Sequence, residues 1–296
     1  MQATYIPYLF VLLWATGFVS AKWGLPYAEP FTFLSLRMLL VVPLFALLAI
    51  TMKRPRLNAE QRRQQMITGI GTHGLYLGGV FYAIAAGMPA GIVALIVGVQ
   101  PLLTALVSWP LGIGSPLRPL QWIGVMLGLA GLGVVVLQGG KLSGHITGAG
   151  LTASIIALLG ISGATLWQSV KGGKTDLISG GLWQYIAALI MFLIAAFTLE
   201  TREVQWNPNF IGAWMWSVFV LSLAAVLLWL YMLKIGEATK VTQYLYLTPP
   251  TTAVMAYLLF DEPLTLQTGL GVALVVAGLY MARRGAIARK PALSKA

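Results

Sequence analysis

Two ionisable groups lie deep inside otherwise apolar runs of this sequence, an imidazole and a guanidinium. His73 sits about halfway along its run, in GTHGLYLGG, with Tyr76 three residues on and so on the same helical face. The imidazole is either a packed, satisfied histidine or a contact for a solute or proton. Arg37, in LSLRMLL, lies about two turns into its run. It caps backbone carbonyls or pairs with Glu29, or its planar fork holds a carboxylate. All eight acids, Glu29, Glu60, Asp176, Glu200, Glu203, Glu237, Asp261 and Glu262, fall in breaks between runs or at their ends, so no carboxylate within a run is available as a proton relay.

Two polar stripes accompany these groups. Gln100, Thr104 and Ser108 recur at four-residue spacing, as do Tyr244, Thr248 and Thr252. Each stripe adjoins internal prolines, Pro101 in one case and Pro249 with Pro250 in the other. Proline frees a carbonyl and bends a helix. The stripes therefore read either as the lining of a polar path or as hydrogen bonds between helices. Trp14 and Trp167 are candidates for a solute-facing wall, whereas Trp23, Trp109, Trp122 and Trp206 suit a membrane interface. Gly160-Ile161-Ser162-Gly163 fits the G-x-S-G of intramembrane serine proteases. The expected histidine does not follow it, and glycines at this spacing suit helix packing.

The elements that must hold these groups are long and apolar. Of 296 residues, 58% are hydrophobic and 9% charged, against about 25% charged in soluble domains. Ten runs are long enough to cross a bilayer as helix: 4–23, 30–51, 64–87, 90–111, 119–138, 147–169, 178–199, 209–234, 238–260 and 265–283. No alternating strand pattern of a membrane barrel accompanies them. The expected class is an all-α polytopic membrane protein, with the first run retained as a span. Cysteine is absent, which excludes disulfides and thiolate metal sites, and nothing in the inventory calls for a metal or cofactor.

The net charge of +11 raises a nucleic-acid partner, but the basic residues lie in short breaks between spans. Taken alternately, one side carries 15 Lys and Arg, including Lys53, Arg54, Arg56, Arg62 and Arg63; the other carries Lys22, Lys141 and Arg202. The positive-inside rule makes the first side cytoplasmic and puts both termini there. The expected partners are thus a lipid bilayer and a small solute. Monomer and homodimer are both compatible with the sequence.

The chain also repeats itself. ATGFVSAK (15–22) and ATLWQSVK (164–171) share four identities at an offset of 149, QPLLTAL (100–106) matches TPPTTAV (248–254), and IGVMLGLAGL (123–132) matches LGVALVVAGL (270–279). Three matches in order define an internal repeat, with units 1–140 and 147–285 and a basic tail at 286–296. Five spans per unit place the copies in opposite senses across the membrane. Inverted repeats of this kind let two packings exchange around a midplane site.

YLLFDEPLTLQTGLGVALVVAGLY (257–280), together with WATGFVSAKWGL (14–25) and LSLRMLL (34–40), resembles the EamA-type transporters of the drug/metabolite transporter superfamily. The resemblance covers essentially the whole chain and implies a ten-helix inner-membrane carrier, commonly an exporter of amino acids or related metabolites. One departure is that LGIGSPLRPL (111–120) lacks the acid of the D-E-P-L-T run, so Glu262 has no repeat counterpart. The other functions weighed are efflux of hydrophobic cations, which would want a carboxylate inside a span, and, remotely, the serine protease.

Overall fold

The computed structural model describes residues 5–113, 116–138, 146–171, 175–225, 227–228, 231, 245–262 and 264–287. Among these, helix is the only regular structure apart from one antiparallel bridge, Ala28 with Val204. The expected Tyr244, Lys141, Lys174, Lys234 and Lys240 and the basic residues from Arg289 onward lie outside the described residues.

The helices follow the apolar runs. They are α1 (Ile6–Gly24), α2 (Pro30–Thr51), α3 (Ala59–Gly69, then a π-helical stretch Ile70–Leu75, then Tyr76–Ala85) and α4 (Ala90–Gly98, then Gln100–Ser108). After them come α5 (Pro119–Gln138), α6 (Gly148–Lys171), α7 (Leu177–Leu199), α8 (Pro208–Met215, then π-helical Trp216–Ala224), α9 (Thr248–Phe260) and α10 (Leu266–Ile287). Seven are long and apolar enough to span a bilayer: α1, α2, α4 (Ala90–Ser108), α5, α6, α7 and α10. The expected runs 64–87, 209–234 and 238–260 are represented by the segmented α3 and by the described parts of α8 and α9.

Local chemistry accounts for the helix ends. Asn58 accepts from the Gln61 N–H and Gln61 from the Asn58 N–H, a capping box that starts α3. Asp176 accepts from the Ile178 and Ser179 N–H groups, and Asn207 from that of Phe210. The break in α4 falls at Val99, where Pro101 cannot donate to the ladder.

Two helices take their caps from the other half of the chain. Glu29 gives α2 no side-chain cap; Glu200 instead accepts from the N–H groups of Phe31 at 2.8 Å and Thr32 at 2.7 Å. Glu29 in turn accepts from the Arg202 N–H at 2.9 Å. Glu262 accepts from the Ala90 N–H at 2.9 Å and the Gly91 N–H at 3.3 Å, and so caps α4. It also forms an ion pair with Lys22 at the end of α1. Lys22 is therefore held across the chain. The opposite end of the bundle carries the Arg54–Asp176 ion pair at 3.3 Å and a bond from the Ser179 hydroxyl to the Pro55 carbonyl at 2.8 Å.

Small residues decide how closely the helices pack. A Cβ on Gly124 would lie 2.5 Å from the Gly278 carbonyl oxygen, and one on Gly131 would lie 2.6 Å from that of Gly271. Both contacts join α5 to α10. Along α3, a Cβ on Gly71 would meet the Gly160 carbonyl oxygen of α6 at 2.7 Å. Near the Glu262 end, Phe33 packs on Phe81 and Phe210 with ring centroids 5.3 and 5.7 Å apart, and all three are fully buried. Conversely, Leu47, Ile50, Ile194, Phe197, Leu258 and Leu266 are more than half exposed. Outward-facing side chains of this kind on apolar helices suit lipid rather than water.

Candidate functional site

Helices α1, α2, α3, α6, α7 and α8, with Leu245, line a cavity of about 360 Å³. Its walls reach from Phe18 and from Phe81 of the aromatic cluster down to Phe10, Phe45, Leu177 and Gly181. Phe45, Leu177 and Gly181 lie toward the ends of their helices on the Arg54–Asp176 side, and Thr72 lies mid-helix beside His73. The Lys22–Glu262 side is packed shut above the cavity.

The polar groups gather at mid-height. Arg37, His73, Tyr76, Gln184 and Tyr185 all line the cavity. The His73 ring stacks on Tyr185, with centroids 4.4 Å apart and planes at 27°. The Trp14 indole faces the Tyr76 hydroxyl, and the phenols of Tyr76 and Tyr185 lie near the Arg37 guanidinium. Arg37 is 5% exposed and donates through Nε (3.1 Å) and Nη2 (2.9 Å) to a single acceptor, the Ser222 hydroxyl. That hydroxyl donates in turn to the Ser217 carbonyl five residues back, at 3.2 Å. The spacing is that of the π-helical stretch on which both serines lie.

Among the described residues Arg37 thus has no counter-charge. No carboxylate lines the cavity among the described residues, and Glu29 is engaged with Thr201 and Arg202. Burying a lone charge costs several kcal/mol, while hydrogen bonds to a charged group return about 1.5–3 kcal/mol each. One neutral hydroxyl shared by two N–H groups does not close that gap. An anion entering the cavity would.

Of the expected site residues, Trp14, Arg37, His73 and Tyr76 meet in the cavity. The polar stripes do not line it. Gln100 bonds to Thr104 at 2.9 Å and to Thr165 at 3.2 Å, and Trp167 donates to the Gln64 carbonyl at 3.3 Å. Thr248 and Thr252 are buried, and among the described residues their hydroxyls have no hydrogen-bond partner. They belong to the crossing of α4 and α9, where a Cβ on Gly98 would meet Pro249 Cγ at 2.6 Å and one on Gly91 would meet Ala253 Cα at 3.2 Å. Pro101 sits at the α4 break, and Pro250 in the first turn of α9. Ser162 is buried with no partner among the described residues, so the G-x-S-G motif has no base beside it.

Ser222 and Tyr185 were not singled out as partners of the two ionisable groups. The repeat held part of the signal: the offset of 149 that joins the first helices carries His73 onto Ser222 and Arg37 onto Ile186, the neighbour of Tyr185.

A bundle of lipid-facing apolar helices around a closed-ended cavity with polar groups at its centre defines a multi-pass membrane protein of the transporter class. The EamA-like transporter family matches residues 5–137 and again 148–284, and the chain belongs to that family. It is 28% identical over 295 residues to the uncharacterized transporter YvbV of Bacillus subtilis, covering 95% of this chain and 92% of that one. It is 26% identical over 284 residues to a protein of Escherichia coli K12 named "Probable amino-acid metabolite efflux pump", covering 92% of each. A solved structure 19% identical in sequence superposes with a TM-score of 0.64 over 98% of this chain and 99% of that one, a likeness of fold.

Proposed function

We propose that the protein is an inner-membrane secondary transporter that exports small carboxylate-bearing metabolites, amino acids or close relatives, by alternating access between two inverted five-helix repeats. The observation that carries this reading is Arg37 facing the cavity with a neutral partner and, among the described residues, no lining carboxylate. Hydrophobic-cation efflux would bring a cation against that guanidinium with no anion to receive it. The E. coli relative's printed name agrees with amino-acid metabolites.

Contacts repeat in pairs, which supports the two-repeat mechanism. Gly124 against Gly278 is mirrored by Gly131 against Gly271. Each half contributes a π-helical stretch at the cavity. Trp14, His73 and Tyr76 contact the solute and Arg37 takes its carboxylate. Gln100, Thr104, Thr248, Thr252 and Trp167 serve the interfaces that exchange, with Pro101, Pro249 and Pro250 as bends. The Arg54 end, where the basic loops cluster, is cytoplasmic, and both termini lie on that side. The cavity then opens toward the cytoplasm in this conformation, as an exporter loading its solute requires.

Expression is expected to protect cells from toxic amino-acid analogues, and His73→Ala to remove that protection at unchanged abundance in the membrane. Protection by the variant equal to the parent's would contradict the site. Export of lipophilic cations alone would contradict the substrate class.

A further inference from the structure

We propose that Ser222 is a specificity-determining residue. Its hydroxyl occupies the Arg37 fork in the empty carrier and yields it to the carboxylate of the solute. The proposal rests on the reading that the cavity accepts a carboxylate, and it adds a residue of the second half to that site.

The geometry carries it. Ser222 is 1% exposed, yet its oxygen accepts from both Nε and Nη2 of Arg37, the edge of a guanidinium that suits a bidentate carboxylate. Its own proton goes to the Ser217 carbonyl and the Tyr185 hydroxyl lies within hydrogen-bond reach, so the serine is satisfied while it holds Arg37 and keeps internal partners when Arg37 leaves. The side chain at this position sets how readily the fork can be taken. An aspartate would neutralise the guanidinium permanently and compete with any solute anion. An alanine would leave two buried N–H groups unpaired, and the empty site would draw in an anion more strongly. Serine lies between the two, a polar placeholder strong enough to fix the fork and weak enough to be displaced. Ser222 lies on α8 and Arg37 on α2, 185 residues apart. Displacement therefore removes a direct bond between the two halves, and a loaded carrier differs from an empty one at the interface that must rearrange.

Three probes share one apolar body and differ in charge: 4-methylpentanoate, leucine and 3-methylbutylamine. Binding is read as a thermal shift of the detergent-solubilised protein, and turnover as counterflow in proteoliposomes. The parent is expected to bind one or both of the carboxylate-bearing probes and to ignore the amine. Ser222→Ala is expected to bind the same probe about tenfold more tightly while turning it over more slowly, since release must now expose an unpaired guanidinium. Ser222→Asp is expected to lose binding by about tenfold or more without losing its unfolding transition. A purely structural serine would give weaker binding and slower turnover together in Ser222→Ala. That result, or parental affinity in Ser222→Asp, overturns the proposal while leaving the carboxylate reading in place. A parent that binds only the amine overturns both.

Discussion

Arg37 and His73 are legible in the sequence because water is absent where they sit. An ionisable group in an apolar span is costly, so a chain that keeps one has a use for it. The partner of Arg37 was read less well. Glu29 is close in sequence and opposite in charge, yet the connection after α1 turns it toward Thr201 and Arg202, and the guanidinium meets Ser222 instead. A neutral serine in WSVFVLSLAA gives no electrostatic signal of its own. Only the repeat offset singles it out, and that requires knowing that the halves face one another. If Arg37 holds a carboxylate by its fork, Arg37→Lys retains the charge but loses the two-point grip. Arg37→Lys is expected to raise the concentration needed for half-maximal transport by about tenfold, and Arg37→Gln by more, because a charge-assisted bidentate contact contributes about 1.5–3 kcal/mol per bond. Equal transport by the parent and Arg37→Gln in the same proteoliposome assay would remove Arg37 from the site.

The apolar runs gave seven helices plainly, and the proline at 101 marked the break in α4. The π-helical stretches were not legible, since they arise where side chains from other helices make widening a turn worthwhile, and no local residue type encodes that. Caps supplied from afar were equally hidden: Glu262 looked like a loop acid without a repeat counterpart, and its role emerges only when α1, α4 and α9 converge on it. Glu262→Gln leaves Lys22 without its counter-ion and weakens the cap on α4. A loss of about 1–3 kcal/mol is expected, seen as a lowered unfolding temperature. Adding Lys22→Gln should cost less than the sum of the single changes, because the two share one interaction. The glycine contacts of α5 and α10 are stricter. Gly124→Leu would drive a side chain into the Gly278 carbonyl, already 2.5 Å from a Cβ at Gly124. It should destabilise by about 1–3 kcal/mol or more, whereas Gly133→Leu, with open space at its Cβ, should not.

At the scale of the molecule, the charge asymmetry of the loops and the direction of the cavity are independent observations. The topology expected from the sequence puts fifteen basic residues on the side of Arg54 and Arg56, and the cavity descends toward the Arg54 end, to Phe45, Leu177 and Gly181. The opposite end is fastened by Glu262, Glu29 and Glu200, each binding groups from the other half of the chain. The absence of a carboxylate in 111–120 means that Lys171 has no repeat counterpart of Glu262 to grip. The two ends are therefore built differently: Glu262, Glu29 and Glu200 bind across the halves at one, and the Arg54–Asp176 ion pair joins them at the other. In the proposed alternating access, the Glu262 contacts open when the Arg54 end closes. Because the chain contains no cysteine, a single cysteine at Thr72 in the cavity wall reports the exposed side directly. With an impermeant thiol reagent, Thr72→Cys is expected to label from the cytoplasmic face of inside-out vesicles, to label far more slowly from the outside of intact cells, and to shift between the two when a transported carboxylate is added. Full labelling from both faces at once, unchanged by solute, would mean an open channel and would contradict the account.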